Sequence, residues 1–465
     1  MIPSRWSSAA AIPATSQLGS AGAIGIAICA ALLAGAALSI QATLVTAATL
    51  IAAYAALSWS MPRSAIVVGL ALMAAPYTWS PSFSSITLAP ALVVAAVWIG
   101  VSLIQGTSSL RWHPIDLAVA TYVAAPAISA LIVGRPYDLF FTTFVNVLVP
   151  YAAMRLFISR EDRRPADFVA PAAIGIGCGV AGLALMEVVL GHNPTTGLLT
   201  NPDLVQWTDE TTRAGFVRAQ ASFGHPIALG TFLLIPIGFA MAWPGRRFWW
   251  TLVVLLPALL FTFSRGPWIG LVVTFVLILA TETAMRGRLL KVLGLVLTVG
   301  MAAWLIGPVQ EVIQQTFAPG TVEGGNAAYR SQLLEATFNN MTLVGTPVSQ
   351  AETTYLLPGF VDLASNLALT ALRTGILGLI AWFTIAALAV RSLVRSIRVH
   401  DAKLRAVSIV VITQFVVLVT VSLITNYQYW FWFAVALMVS YESASRRVSK
   451  KDMTEASVES SRFAS

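Results

Sequence analysis

The sequence predicts an all-α fold: a polytopic transmembrane helical bundle of about 12 to 14 helices, with a long external loop that contains short amphipathic helices. Three observations support this prediction. Hydrophobic residues form 57% of the 465-residue chain and charged residues only 10%, whereas soluble domains carry roughly a quarter charged residues. The apolar residues fall into about 14 separate segments of near-membrane length. The basic residues between these segments are concentrated in alternate loops.

The helices are predicted in chain order from two rules. About 20 apolar residues are needed to cross the hydrocarbon core, and polar, Gly or Pro residues separate one span from the next. The first apolar run has no convincing signal-peptide cleavage site, so it is predicted to be a retained helix. The predicted spans are 19–38, 42–59, 64–80, 86–105, 115–134, 138–158, 168–190, 223–243, 247–263, 266–283, 289–306, 366–390, 404–423 and 427–443.

The basic residues assign the loops to two sides of the membrane. Most of the 28 Lys and Arg residues lie on one side, which the positive-inside rule identifies as the cytoplasm. An even number of helices with both termini in the cytoplasm follows. The outer side has no lysine and six arginines, namely Arg135, Arg213, Arg218, Arg265, Arg330 and Arg373. Because guanidinium groups bind phosphate and carboxylate oxygens in pairs, the outer side is predicted to hold an anion.

This assignment predicts seven regions along the chain. Two of them are outer loops too long for simple turns, and such loops are usually functional. The regions are a cytoplasmic tail 1–18, N-terminal transmembrane helices 19–190, an external loop 191–222, central transmembrane helices 223–306, a large external loop 307–365, C-terminal transmembrane helices 366–443 and a disordered cytoplasmic tail 444–465.

The large external loop contains a predicted amphipathic helix over Ala327–Met341. Its apolar stripe is formed by Leu334, Phe338 and Met341, at positions i, i+4 and i+7. With Asn326 as N-cap, Arg330 falls in the first turn, where unpaired backbone N–H groups add to its positive charge. Tyr329 and Arg330 are therefore predicted to contact an anionic substrate, and a plain surface arginine is the alternative.

A second group of candidates precedes and begins the span 223–243. Arg213 and Arg218 are five residues apart, and the His225-Pro226 pair follows them at the predicted helix start. We predict that the arginines contact the substrate and that His225 is a general base or a second anion ligand. The alternatives are arginines that extend to lipid headgroups and a histidine that hydrogen bonds to a neighbouring helix.

Three further residues complete the set of candidates. Arg265 lies in a tight outer turn and either binds substrate or caps the helix before it. Asp362 is the external carboxylate best placed to act as a base, although most such carboxylates are merely solvated. Arg373 lies about two turns inside an apolar helix, where an arginine is costly and usually faces a polar cavity or an acid.

Composition also excludes several kinds of protein. The basic residues that give the net charge of +8 lie in short loops of one side, which argues against nucleic acid as a partner. The two cysteines, Cys29 and Cys178, lie in apolar segments and form no metal-binding spacing. The sequence contains no P-loop, no HExxH and no GxSxG motif. We therefore expect no metal and no cofactor.

Taken together, four motifs resemble the O-antigen ligase and polysaccharide polymerase superfamily of bacterial membrane proteins, over about residues 205–390. In order, they are Arg218 with Ser222-Phe223-Gly224-His225-Pro226, then Ser264-Arg265-Gly266, then Tyr329-Arg330 in a long outer loop, then Gly375-Ile376-Leu377-Gly378. Many members carry a His-Asn or Asp-Asn pair where this chain has Ala364-Ser365-Asn366. This difference favours a polymerase over a ligase.

The resemblance implies a multi-pass enzyme of the bacterial plasma (inner) membrane. Such an enzyme takes a glycan from a polyprenyl diphosphate, such as undecaprenyl diphosphate, and passes it with inversion to an acceptor glycan or glycolipid on the outer face. It implies that Arg218 and Arg330, with Arg265 third, hold the diphosphate. Asp362 or His225 would then assist the acceptor hydroxyl. Other polysaccharide assembly proteins are possible partners.

Two other functions stay open at this point. A transporter or flippase of a lipid-linked or anionic solute would need ionisable residues at mid-membrane depth for coupling. Glu187 and Arg373 lie toward the outer ends of their helices, and the helix centres are almost free of charge. A non-catalytic scaffold for glycan assembly is the third hypothesis.

Overall fold

The computed structural model describes residues 40–80, 82–83, 86–87, 89–106, 112–158, 166–196, 201, 204, 211–213, 216–242, 249–281, 287, 294, 322–347 and 365–443. The predicted span 19–38, both predicted tails and Asp362 lie outside these residues, as does all but Gly294 of the span 289–306. The chain divides into two compact units, Met1–Gly69 and Leu70–Ser465. The site described below lies within the second unit.

The described chain is all-α, apart from two antiparallel pairs of two-residue strands. These pairs are β1 (Ser82–Phe83) with β2 (Ile86–Thr87), and β3 (Thr212–Arg213) with β4 (Phe216–Val217). The helices are α1 (Ile40–Ser60), α2 (Pro62–Met73), α3 (Pro90–Gln105), α4 (Pro114–Val133), α5 (Asp138–Ile158), α6 (Ala166–Leu190), α7 (Pro226–Ala242), α8 (Leu252–Phe261), α9 (Arg265–Thr281), α10 (Val322–Asn339), α11 (Asn366–Arg398), α12 (Ala402–Leu418) and α13 (427–443).

Four of the described helices are long and apolar enough to cross a membrane, namely α4, α5, α6 and α11. Of the other apolar helices, α1 is longer than the predicted span and α13 coincides with it, whereas the rest are shorter than predicted. Helix α2 ends at Met73 rather than at residue 80, since Pro76 disfavours helical backbone at the residue before it. Helix α11 instead continues past the predicted end at residue 390 to Arg398, because arginine is a good helix former.

Several helices present apolar side chains outward. On α9 the exposed side chains Ile269, Val272 and Val276 follow helical spacing. On α11 the exposed side chains Ile376, Ile380 and Phe383 do the same. Soluble proteins rarely expose such contiguous apolar faces. These helix faces are compatible with a membrane protein, because the lipid tails of a membrane would cover them.

One end of the second unit is held together by ion pairs, and we call it the ion-pair end. Four salt bridges join described residues there, and each links the beginning or end of one helix to another. They are His113 Nε2–Glu442 Oε2 at 3.4 Å, Arg155 Nε–Asp116 Oδ1 at 3.1 Å, Arg395 Nη1–Glu442 Oε1 at 3.3 Å and Lys403 Nζ–Asp167 Oδ2 at 2.6 Å. This end therefore contains the starts of α4, α6 and α12 and the ends of α5, α11 and α13.

The opposite ends of the same helices meet at what we call the loop end. Here the backbone N–H of Asn366, the first residue of α11, donates to Val421 O just after α12, at 3.0 Å. A Cβ built on Gly266, at the start of α9, would lie 2.9 Å from Val421 Cγ2. The starts of α9 and α11 therefore both lie against the segment that follows α12.

Candidate functional site at the loop end

Arg218 connects the loop before α7 to the turn between α8 and α9. Its Nε donates to Thr262 O at 3.0 Å, and its Nη2 donates to Ser264 Oγ at 2.8 Å. The next residue, Ala219, donates its backbone N–H to Phe261 O at 3.0 Å. The last carbonyls of α8 are therefore capped by a backbone N–H and by a cation, whose charge suits the negative end of the helix dipole.

A buried carboxylate fixes the backbone that follows Arg218. Glu187, near the end of α6, accepts the backbone N–H groups of Gln220 at 2.9 Å and Ala221 at 2.7 Å through Oε2. Asn193 Nδ2 donates to Ala221 O at 2.9 Å. Ala221 has a φ of 44°, a backbone conformation that needs such support in a non-glycine residue. The loop that carries Arg218 is therefore held rigidly against α6.

His225 caps the helix that it precedes. Its Nδ1 accepts the backbone N–H of Ile227 at 3.2 Å, which uses the lone pair of that nitrogen. Burial and the nearby positive charge of Arg218 together lower the pKa of His225 to about 4, with burial as the larger cause. At neutral pH the ring is therefore uncharged, with its proton on Nε2. This geometry makes His225 a hydrogen-bond donor rather than the general base that the sequence suggested.

The helix of the large loop packs on the start of α11, and its buried face coincides only in part with the predicted one. Leu333 is 1% exposed and packs on Ala368, Leu369 and Leu372, whereas Phe338 is 48% exposed. Tyr329, Leu334 and Ala336 pack around the same cluster. The predicted stripe is therefore confirmed at Leu334, which packs on this cluster, and wrong at Phe338, because packing on α11 buries the neighbouring Thr337 instead.

The start of this helix also differs from the prediction. Helix α10 begins at Val322, so that Asn326 lies inside it and is not the N-cap. Arg330 is the ninth residue of the helix, beyond the reach of the unpaired N–H groups of the first turn. Gly324 and Gly325 weaken a helix by about 1 kcal/mol each, and packing of the whole segment can overcome this cost. The prediction that unpaired N–H groups of the first helical turn add to the positive charge of Arg330 is therefore wrong.

Helix α11 is broken at Gly375, where φ is 64° and ψ is −155°. The segment after α10 fills the break: Thr342 O accepts the N–H of Ile376 at 3.2 Å, and Thr346 N–H donates to Leu372 O at 2.8 Å. Gly345, with a φ of 70°, lies directly against the break, and a Cβ there would be 2.5 Å from the Gly375 nitrogen. The backbone groups that the break releases are thus satisfied within the protein.

Arg373 lies immediately before this break. Its Nε and Nη2 atoms are buried, and they have no hydrogen-bond partner in the part of the chain that the structure describes. Two other polar residues share its helix face, Asn366 and Thr370, which precede it by seven and three residues. Thr370 Oγ1 lies 3.3 Å from the hydroxyl of Tyr122 on α4. A polar strip therefore runs between α4 and α11.

The loop end brings together motifs that are far apart in the sequence. The Arg218–Pro226 segment contacts the Ser264–Gly266 turn, and the Tyr329 helix packs on the start of α11. The Val421 segment lies against both Gly266 and Asn366. The side chains of Arg213 and Arg330 and all of Asp362 lie outside the described part of the chain. Arg265 begins α9 and is partly buried.

Sequence reasoning missed the residues that hold this end in place. The sequence identifies Glu187 only as an acid near a helix end, and it gives no reason to select Asn193. An acid inside an otherwise apolar helix is itself a signal, because such residues are costly and have partners. Among the described residues there is no group of three His, Cys, Asp or Glu side chains that could hold a metal ion.

The chain matches no protein-family model, and no curated protein matches it.

Proposed function

We propose that the chain is a polytopic membrane glycosyltransferase of the polymerase type, which extends or transfers glycans carried on a polyprenyl diphosphate at the outer face of the plasma membrane. The proposal rests on one observation above the others. Arg218 and Ser264, which belong to two motifs of the resemblance, are in direct contact at 2.8 Å although 46 residues separate them. Tyr329, from the third motif, packs at the same end on the first turns of α11, the helix that carries the fourth motif.

The charge distribution supports the orientation in this proposal. The ion-pair end carries, besides its paired acids and bases, the further basic residues Arg391, Arg398 and Arg405, as the positive-inside rule predicts for the cytoplasmic side. The loop end carries Arg218, Arg265 and Arg373, and its buried carboxylate Glu187 accepts backbone N–H groups. Guanidinium groups close to a bound substrate would stabilise the charge that develops on a leaving diphosphate.

The proposed reaction is a displacement at the anomeric carbon. The acceptor hydroxyl oxygen forms the new bond, the bond between that carbon and the diphosphate oxygen breaks, and the electron pair leaves with the diphosphate. The hydroxyl proton passes to the carboxylate of Asp362, since His225 already carries a proton on Nε2. Arg218 and Arg330 would stabilise the departing diphosphate.

The test is glycan transfer by the purified full chain with a lipid-linked glycan as donor. We expect Arg218→Ala and Arg330→Ala each to lower the transfer rate by about a hundredfold or more, as loss of one charge-stabilising donor does elsewhere. Arg391→Ala is the matched control, because Arg391 is exposed near the ion-pair end of α11. Arg330→Ala leaves the α8–α9 turn intact and so separates loss of catalysis from loss of folding. Full activity in both variants would end the proposal.

One observation favours the alternative of a transporter or flippase. Discontinuous helices surround the substrate sites of many transporters, and α11 is broken at Gly375 beside a buried arginine. Proteoliposomes separate the two functions. A transporter moves a lipid-linked or anionic solute across the bilayer without changing it, whereas the proposed enzyme lengthens the glycan without net transport.

A further inference from the structure

One edge of the Arg373 guanidinium, formed by Nε and Nη2, has no hydrogen-bond partner among the described residues. The Nε–H and Nη2–H bonds lie in the guanidinium plane and point in the same direction from one edge of it. Together they form the fork that binds two oxygens of one anion. Both atoms are buried and have no hydrogen-bond partner among the described residues. Arg373 also forms no salt bridge there. A charged group in this situation is costly unless something pairs with it.

Arg218 makes an informative contrast, because its equivalent edge is occupied. Its Nε donates to Thr262 O and its Nη2 donates to Ser264 Oγ, so the same two atoms serve the α8–α9 turn. Of these two arginines of the loop end, Arg373 is the one whose fork is available for a ligand. From the sequence alone, Arg218 ranks above Arg373 as an anion ligand, and nothing in the sequence reverses that order.

Further donors lie along the same face of α11. Asn366 Nδ2 is buried and has no hydrogen-bond partner within 3.5 Å among the described residues, and its side chain lies near the hydroxyl of Tyr122. Asn366, Thr370 and Arg373 follow at i, i+4 and i+7, and an arginine on a helix extends toward the N-terminus, that is toward Thr370 and Asn366. The Tyr122 hydroxyl, 3.3 Å from Thr370 Oγ1, closes the strip on the α4 side.

We infer that this strip is a binding site for a phosphate-type oxyanion, with the Arg373 fork as principal ligand and Asn366 Nδ2 as a further donor. Several unpaired donors spread over two helical turns suit a phosphate or diphosphate, which offers more acceptor oxygens than a carboxylate. The oxyanion belongs either to a free anion or to the headgroup of a membrane lipid. The inference does not depend on glycan transfer.

The test is binding by the purified full chain in lipid nanodiscs, with inorganic pyrophosphate, a polyprenyl diphosphate and acetate as separate probes. Thermal melting and direct titration are the readouts. We expect pyrophosphate or the polyprenyl diphosphate to raise the melting temperature of the wild type. The same rise is expected for Arg391→Gln, which loses the same charge from an exposed position. Arg373→Gln should weaken binding by about tenfold or more, the effect of losing a charge-assisted hydrogen bond. Asn366→Ala should weaken it less.

The outcomes are distinct. Binding of pyrophosphate that depends on Arg373 supports the site and shows that the anion alone suffices, whereas Arg373-dependent binding of only the polyprenyl diphosphate supports it and assigns the headgroup. Equal binding by Arg373→Gln, response to acetate alone, or no response to any probe overturns the inference. So does an Arg373→Gln variant that melts well below the wild type without ligand, since Arg373 would then be structural. None of these binding measurements requires glycan transfer. A negative result for the Arg373 site can therefore be distinguished from a negative result for the proposed enzyme.

Discussion

At the scale of single residues, the loop end depends on side chains that serve the backbone. Glu187 accepts two backbone N–H groups, Arg218 caps the last carbonyls of α8, and His225 caps α7. Buried backbone groups without partners are costly, so each of these polar side chains removes a penalty that apolar residues could not remove. The chemistry of the site is therefore inseparable from its folding.

The capping role of His225 recurs elsewhere in the chain. His113 also precedes a proline, Pro114, and its Nδ1 accepts the N–H of Ile115 at 3.3 Å, just as His225 accepts from Ile227. His113 lies at the ion-pair end, far from the arginines of the loop end. The His-Pro pair is thus a local device for starting a helix in this protein.

The lowered pKa of His225 makes stability depend on pH. In the unfolded chain the pKa of histidine is near 6.5, whereas in the folded chain it is about 4. Between these values the unfolded chain binds a proton that the folded chain does not, so stability is present above about pH 6.5 and is lost as the pH falls toward 4. We expect the melting temperature to fall across this window in the wild type. In His225→Asn, which retains a capping side chain without a titrating group, the fall should be smaller; equal profiles would refute this account.

At the scale of elements, the break in α11 is the most specific feature of the fold. Two glycines with positive φ, Gly345 and Gly375, approach each other there, and their neighbours exchange the hydrogen bonds that a continuous helix would have formed. Ser129 Oγ on α4 donates to Gly345 O at 3.2 Å and secures the inserted segment. Only glycine allows the two backbones to come this close.

Substitution of these glycines should therefore be costly. A Cβ on Gly375 would collide with Thr342 O, and positive φ adds strain in any other residue. We expect Gly375→Ala and Gly345→Ala each to destabilise the protein by about 2 kcal/mol or more, measured as a lower melting temperature in detergent. Gly179→Ala on α6 is the control, because a Cβ there meets nothing within 4 Å and alanine favours a helix. A Gly375→Ala variant as stable as the control would contradict this reading of the break.

At the scale of the whole molecule, the two ends of the second unit differ in how they treat charge. The ion-pair end joins acids to bases across helices, as in the bidentate pair Arg155–Asp116, and also carries further basic residues such as Arg391 and Arg398. The loop end uses its polar side chains to hold backbone, and among the described residues it leaves Arg373 Nε and Nη2 without a hydrogen-bond partner.

The orientation of these ends is testable by labelling. In a chain whose Cys29 and Cys178 are replaced by alanine, Asn340→Cys places an exposed thiol at the loop end, and Val399→Cys places one at the other end. We expect a membrane-impermeant maleimide to label Asn340→Cys in intact cells and Val399→Cys only after the membrane is opened. The reverse pattern would place the loop end in the cytoplasm and remove the proposed substrate from its reach.

The order of helices was largely predictable from the sequence, and their ends and faces were not. Hydropathy located α4, α5, α6 and α13 to within about two residues, because apolar runs of that length have few other solutions. It placed the end of α2 too late, because Pro76 disfavours helical backbone just before it. It also placed the start of α10 too late, because the helix includes Gly324 and Gly325, which have low helix propensity. On α10 the buried face lies one residue away from the predicted one, so that Leu333 is buried and Phe338 is exposed. Which face is buried depends on the neighbouring helix α11.

The sequence by itself determined the all-α character of this protein, the alternation of basic residues between its apolar segments and the list of arginines predicted to face outward, because composition and spacing control all three. Between Arg218 and Arg373, tertiary structure alone decided which guanidinium keeps Nε and Nη2 without a hydrogen-bond partner among the described residues. That outcome depends on whether a carbonyl such as Thr262 O lies within reach of the guanidinium, and such distances are set by helix packing between residues far apart in the chain. Helix packing places the Arg218 guanidinium against the turn after α8. Among the described residues it leaves Arg373 Nε and Nη2 without a hydrogen-bond partner beside the break in α11.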